Sequence, residues 1–138
     1  MRKQFLIVCF LLFYLSNVFA NEKNILEIAE GSARSWLELT DTGKYRESWE
    51  RASTLFKTKT AEAEWVQTIT ANRASRGVVT ARYIATASSA KSLPGLPDGE
   101  YIVLQFYTTF EAKGLALETI TLAKSSGDAW MVSQYTIK

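Results

Sequence analysis

After an apolar start, the first half of the chain repeats hydrophobic positions every three or four residues, the period of an amphipathic helix. This spacing predicts a first helix over residues 24–40, closed by Gly43 in a left-handed conformation. It predicts a second helix over 45–56 and a third over 60–75, whose apolar stripe gives way to polar residues before Gly77 ends it. The predicted inward positions are Ile25, Ile28, Ala29, Ser32, Trp36 and Leu39, then Tyr45, Trp49, Ala52 and Phe56, then Ala61, Trp65 and Ile69.

After Gly77 the period changes to two, which is typical of strands buried on one side. The first predicted strand covers residues 79–87, with an uncharged face and an opposite face that carries Arg82. The segment 93–99 holds both prolines of the chain, and its Asp98-Gly99 step predicts a tight turn with positive φ at Gly99. Three further strands are predicted at 100–111, 115–124 and 129–137, where short glycine-containing turns join them into a meander.

Helices followed by strands predict an α+β domain, with three N-terminal helices packed on one face of a four-stranded antiparallel sheet. Trp36, Trp49 and Trp65 fall one in each predicted helix, and Trp130 opens the last predicted strand. We therefore expect the four tryptophans to meet between the helices and the sheet.

Residues 1–20 have the pattern of a secretory signal peptide. Arg2 and Lys3 precede an unbroken apolar run over 5–15, and the segment ends in Val18-Phe19-Ala20, a small-residue cleavage site. The run is about half of the ~20 apolar residues that cross a bilayer, which disfavours a retained membrane anchor. We expect cleavage after Ala20, export to the periplasm, no membrane attachment afterwards, and a single domain over residues 21–138.

Composition narrows the function further. Loss of Arg2 and Lys3 would take the 16 basic residues to 14, equal to the 14 acidic ones, so no basic surface for nucleic acid is expected. The only cysteine, Cys9, lies in the predicted leader, and the chain contains no histidine. The commonest general base and the usual nitrogen and sulfur metal ligands are therefore missing, and we expect no metal site and no cofactor.

Several motifs resemble the exported bacterial proteins of the domain of unknown function 4019 family. The residues that carry the resemblance are Trp36-Leu37, Asp41-x-Gly43-x-Tyr45, Ser48-Trp49-x-x-Ala52, Trp65, Arg73, Gly77, Arg82, Leu93-Pro-Gly-x-Pro-Asp-Gly99-x-Tyr101, Phe110, Glu118 and Trp130-x-Val132-x-x-Tyr135. The resemblance implies a curved sheet covered by helices, similar to cystatin-like and nuclear transport factor 2-like folds. It implies no activity, since the family has none assigned.

Glu118 is the one candidate for catalysis. It lies in the middle of a predicted strand, with Ile120 and Leu122 on the same face. A carboxylate buried in an apolar pocket would have a raised pKa and could act as a base, as in some enzymes of the nuclear transport factor 2-like group. The alternatives are simple exposure or an ion pair with Arg82 or Arg73. We favour the ion pair, which would make Glu118 structural.

The aromatic residues of the strands are the other candidate. Tyr83, Tyr101, Tyr107 and Tyr135 could line a binding surface, although tyrosines also serve as ordinary core residues. We expect a non-catalytic binding module that captures a protein or peptide partner on its sheet. The alternative is a small-molecule pocket or a carboxylate-based enzyme within the fold.

Overall fold

The chain folds into helices followed by a four-stranded antiparallel sheet, so the predicted α+β class is confirmed. The structure is a computed structural model that describes the backbone of residues 2–138 and the side chains of residues 18–138. Its elements are α1 (Arg2–Asp41), α2 (Tyr45–Glu50), α3 (Thr54–Lys59), α4 (Glu62–Arg76), β1 (Val79–Ala90), β2 (Tyr101–Phe110), β3 (Gly114–Lys124) and β4 (Trp130–Ile137).

The first helix is longer than its apolar stripe predicted, because it runs without a break through the predicted leader. Its buried side is also rotated from the predicted one: Ala29, Ala33, Leu37 and Thr40 are buried, whereas Ile28 is half exposed. Gly43 follows α1 with a φ of 78°, as predicted. No helix in the described part of the chain is both long and apolar enough to span a membrane.

The predicted second helix is wrong as one continuous element, because it is divided into α2 and α3 at Ser53. The Ser53 side chain accepts a hydrogen bond from the Phe56 amide and so begins α3 as its N-cap. The Ser53 amide donates to the Val132 carbonyl of β4 at 2.8 Å. Pairing with a strand draws this residue out of helical geometry, and the periodicity of the side chains carried no sign of it.

The sheet has the order β1-β2-β3-β4, and the helices cover only one of its faces, here called the inner face. The strict alternation predicted for β1 is wrong, because its register with β2 skips Thr80 and Ala85. Each skipped residue is a bulge that shifts the side chains that follow to the other face. Arg82 consequently pairs with buried Thr108 on the inner face, while Tyr83 pairs with Tyr107 on the outer face.

Aromatic residues form the centre of the core between helices and sheet. The rings of Trp36 and Trp65 lie 5.7 Å apart, and those of Phe56 and Trp65 lie 5.0 Å apart in an edge-to-face arrangement. Trp49 and Trp130 pack against this core at partly buried positions. The four tryptophans therefore do gather between the layers, as predicted.

The loop between β1 and β2 differs from its prediction at one residue. Gly95, with a φ of 75°, has the left-handed conformation that was expected of Gly99, and Gly99 does not have it. The Gly95 carbonyl accepts a hydrogen bond from Lys59 at the end of α3. The hydroxyl of Tyr101 donates to the Pro97 carbonyl, so this loop covers Tyr101 on the outer face.

Candidate functional site

Four charged side chains meet between the helices and the inner face of the sheet, and we call them the charge cluster: Asp41, Arg73, Arg82 and Glu118. Asp41 ends α1, Arg73 lies on α4, and Arg82 and Glu118 come from β1 and β3. Their side chains are 22%, 6%, 10% and 0% exposed, respectively. Two cations and two anions balance within the cluster, which is the condition for burying charge at tolerable cost.

Glu118 is the centre of the cluster. Its Oε1 lies 2.8 Å from Arg82 Nη2 and 2.9 Å from Arg82 Nε, and its Oε2 lies 3.5 Å from Arg73 Nη2. The Thr108 hydroxyl donates to Oε1, and the Tyr135 hydroxyl donates to Oε2 at 2.6 Å. Both oxygens of this buried carboxylate are thus occupied by donors.

Asp41 holds the two arginines from the helix side. Its oxygens lie 2.6 Å from Arg82 Nη1 and 2.9 Å from Arg82 Nη2, which makes a bidentate pair. Arg73 Nη1 lies 3.1 Å from the same carboxylate, and Arg73 Nη2 donates to the Thr40 hydroxyl at 2.8 Å. The cluster therefore joins α1, α4, β1 and β3 through direct contacts.

The environment of the cluster changes two pKa values. Burial by itself lowers the pKa of Arg82, but the hydrogen bond to Asp41 and the attraction of Glu118 outweigh burial and raise it. Burial raises the pKa of the Tyr135 hydroxyl, and the negative charge of Glu118 raises it further. Both groups therefore keep their protons over the physiological range, with Arg82 as a cation and Tyr135 as a neutral donor.

One polar atom of the cluster lacks a partner. Within the described residues, Arg73 Nε is buried and makes no hydrogen bond. The guanidinium carbon of Arg73 instead lies 5.0 Å from the centroid of the Phe110 ring, and that of Arg76 lies 5.6 Å from it. The negative face of an aromatic ring attracts such cations, so Phe110 offsets part of the cost of the orphaned N–H.

The four tyrosines proposed as a binding surface do not lie together. Tyr101 is buried under the loop that follows β1, and Tyr135 belongs to the surroundings of the charge cluster. Tyr83 and Tyr107 remain, 70% and 51% exposed, and they are direct cross-strand neighbours on the outer face. The structure thus divides the set into two exposed residues and two that stabilise the fold.

Two leucines extend the exposed pair into a continuous surface. Leu117 of β3 is the cross-strand neighbour of Tyr107, and Leu115, which is 67% exposed, lies on the same face one row away. We call Tyr83, Tyr107, Leu115 and Leu117 the tyrosine patch. Sequence reasoning missed the leucines, although their alternation with buried Ala116 and Glu118 was a usable signal.

Asp41, Thr40 and Thr108 were also missed as members of the cluster. Asp41 did carry a signal, because a carboxylate in the last turn of a helix faces the negative end of the helix dipole and needs a compensating partner. Arg73 carried another: it continues the buried stripe of Trp65 and Ile69 at a spacing of four. A polar residue on a buried stripe indicates a specific partner rather than a weak helix.

A groove of about 880 Å³ lies at the end of the sheet, next to the middle of α1. Its apolar lining comes from Ile25, Leu26, Ile102 and Trp130. Among residues 18–138, no group of three or more His, Cys, Asp and Glu side chains is placed to hold a metal ion.

Comparisons with known proteins agree with the motifs. No curated protein matches the chain. The sequence profile of a family described as "Protein of unknown function (DUF4019)" matches residues 32–135, a segment that includes the whole charge cluster and the whole tyrosine patch. The chain therefore belongs to the DUF4019 family of proteins of unknown function.

Proposed function

We propose that the protein is an exported, non-catalytic binding module that captures a protein or peptide partner on the outer face of its sheet, at the tyrosine patch. The observation that carries the proposal is the exposure of Tyr83, Tyr107 and Leu115 side by side on the outer face, opposite the helices. Contiguous exposed apolar side chains of this kind mark interaction surfaces in soluble proteins.

The chemistry of the patch suits a protein partner. Tyrosine buries a large apolar ring at a small loss of side-chain freedom and keeps a hydroxyl for hydrogen bonds, which explains its enrichment in interfaces. The neighbouring row on the outer face is polar, with Thr86, Gln105 and Thr119 paired across three strands. An apolar centre beside polar side chains is the usual layout of a protein interface.

The charge cluster supports the non-catalytic part of the proposal. A general base needs an oxygen that can reach a proton of the substrate. Glu118 is fully buried, and both its oxygens accept hydrogen bonds from side chains of the protein. We infer that its charge serves to fasten the helices to the sheet.

Site-specific crosslinking tests the proposed partner surface. A photoreactive phenylalanine derivative at position 83 or 107 should give the same discrete crosslinked protein in the native host, and mass spectrometry would identify it. The same group at Thr70, an exposed position of α4, is the control and should not give that product. Loss of the product on adding Leu115→Ser would tie it to the patch, whereas equal crosslinking from position 70 would contradict the proposal.

A second candidate is a small-molecule pocket in the groove beside α1. Its volume of about 880 Å³ lies within the usual range for ligand sites, and its apolar lining would suit a hydrophobic ligand. Native mass spectrometry of the protein purified from its host tests this function. A retained small molecule that is lost in Trp130→Ala would favour the pocket over the tyrosine patch.

A further inference from the structure

The two edges of the sheet are treated differently. At the β4 edge, the linker between α2 and α3 approaches the strand: the Ser53 amide donates to the Val132 carbonyl, and the Ser53 and Ser133 hydroxyls lie 2.7 Å apart. At the opposite edge of the sheet, β1 pairs with β2 on one side only, and no element within residues 18–138 pairs with its free edge. An unpaired strand edge presents a row of N–H and C=O groups to any strand that can reach it.

The C-terminal part of β1 lacks the usual protection of a sheet edge. Proteins commonly guard such edges with lysine, proline, inward-pointing charge or bulges. The run from Tyr83 to Ala90 contains neither a charge nor a proline. Arg82, which precedes the run, is turned inward and paired, and exposed Lys91, which follows it, is the first charge beyond its other end. Both bulges, at Thr80 and Ala85, precede Thr86 in the chain, so Thr86–Ala90 pairs with β2 in a regular register.

This stretch is also exposed on both faces. Ala87 and Ser89 point to the inner side, as their pairing with buried Leu104 and Ile102 shows, yet both are exposed. Thr86 and Ser88 on the outer side are exposed as well. Ser89 and Ala90 border the groove beside α1 rather than packing against the helix, and the free edge of the stretch has no neighbouring strand among residues 18–138.

We propose that Thr86–Ala90 pairs antiparallel with the same segment of a second copy of the chain, which creates a two-fold symmetric dimer with a continuous eight-stranded sheet. Centred on Ser88, the pairing places Ser88 opposite Ser88, Ala87 opposite Ser89, and Thr86 opposite Ala90. Each pair then joins residues of the same face, as a continuous sheet requires.

A second copy is the occupant because the segment is complementary to itself. In this antiparallel self-pairing the residue at the axis faces its own copy, where a charge would meet an equal charge, and neither Ser88 nor the rest of the stretch carries one. Its side chains are small, so neither face hinders close approach. The two-fold axis uses the same surface in both copies, the commonest form of protein dimer.

The dimer does not depend on the proposed function, but it would extend it. A two-fold axis perpendicular to the sheet leaves both tyrosine patches on the same outer face. A partner with two matching segments could then engage both patches at once, and the second contact would form at a high effective concentration.

Sedimentation velocity tests the dimer and is measured on the protein in the form that its host produces. The wild type should sediment as a species of twice the chain mass. Ser88→Lys should halve that mass, because it sets two lysines opposite each other at the axis. Thr136→Lys, an equal charge at an exposed position of the other edge strand, is the matched control and should remain dimeric.

Mixing gives a sharper version of the test. Ser88→Glu alone should also be monomeric, while an equimolar mixture with Ser88→Lys should recover the dimer mass through opposite charges. If Ser88→Lys fails to fold by circular dichroism, the double variants Thr86→Lys/Ala90→Lys and Thr86→Glu/Ala90→Glu take its place with the same expectations, because residue 86 of one copy faces residue 90 of the other. Two outcomes would overturn the proposal. One is a wild type that stays monomeric both at the highest soluble concentration and at 100-fold dilution, and the other is a dimer that the lysine variants leave intact.

Discussion

The inner and outer faces of the sheet use their polar and aromatic residues in opposite ways. On the inner face, Glu118 is buried against two arginines and its oxygens are occupied by donors. On the outer face, Tyr83 and Tyr107 leave most of their ring surface to solvent. Charges, which prefer water, lie inside, and part of the apolar surface, which avoids water, lies outside.

This contrast separates residues that hold the fold from residues that are free to bind. A buried charge is tolerated only when its partners are complete, so the charge cluster is committed to structure. Exposed aromatic rings add little to the stability of the free protein. A partner that covers them gains binding free energy, because the apolar ring surface is removed from water. The difference predicts how substitutions on the two faces should behave.

The largest effect is expected from Glu118→Gln. The change leaves Arg73 and Arg82 buried with only Asp41 as an anion, and the expected loss is about 3 kcal/mol of unfolding free energy. Urea unfolding at neutral pH measures it. Glu111→Gln, an exposed glutamate at the end of β2, is the control and should change little. A Glu118→Gln variant more stable than the wild type would indicate a strained catalytic carboxylate and remove the contrast between the faces.

Tyr135→Phe should cost less, because it removes one hydrogen bond and no charge. The hydroxyl donates to buried Glu118 at 2.6 Å, and a hydrogen bond to a charged group contributes about 1.5 kcal/mol or somewhat more. Tyr107→Phe removes an exposed hydroxyl and is the matched control, with no measurable change expected. Equal losses for the two variants would show that the faces do not differ in this respect.

The same hydroxyl predicts a pH dependence. Burial and the charge of Glu118 raise the pKa of Tyr135, so the folded protein keeps this proton at pH values where the unfolded chain loses it. The contribution of Tyr135 is therefore fully present below the unfolded value of about 10 and declines as pH rises beyond it. Unfolding free energies measured between pH 8 and about 11 should fall less steeply in Tyr135→Phe than in the wild type. Parallel curves would contradict the burial of this hydroxyl.

The substitution Gly95→Ala tests the loop that covers Tyr101. This loop limits how much of the outer face is exposed. The positive φ of Gly95 disfavours any side chain, and the expected loss is about 1 kcal/mol. Gly99→Ala is the control: a methyl group there would meet the Tyr101 ring at 3.6 Å, an ordinary contact. Thermal unfolding compares the two. A larger loss at Gly99 would support the original sequence prediction of the turn.

The smallest effect on stability is expected for the tyrosine patch. Tyr83→Ser and Tyr107→Ser should each change the unfolding free energy by less than about 0.5 kcal/mol, since both rings are largely exposed. Either change should nevertheless weaken capture of the crosslinked partner. Stability losses comparable to that of Glu118→Gln would mean that the patch holds the fold rather than a partner.

Some features of the site could be predicted from the sequence and others could not. Glu118 and its possible arginine partners were identified from strand position and charge, and both ion pairs are present. The division of the tyrosines was not predicted, because Tyr101 is covered by a loop whose path depends on contacts with Lys59 and Pro97. The bulges in β1 were also invisible in a strand composed mainly of small, uncharged residues.

The sequence by itself determined the order of elements, the α+β class, the inward tryptophans and the membership of Glu118 in a strand. These features follow from local periodicity, which each segment carries on its own. Only the tertiary structure decided that helix 45–56 divides at Ser53, that Asp41 completes the charge cluster, and which tyrosines remain exposed. These outcomes depend on contacts between residues distant in the chain, whose energies no single segment contains.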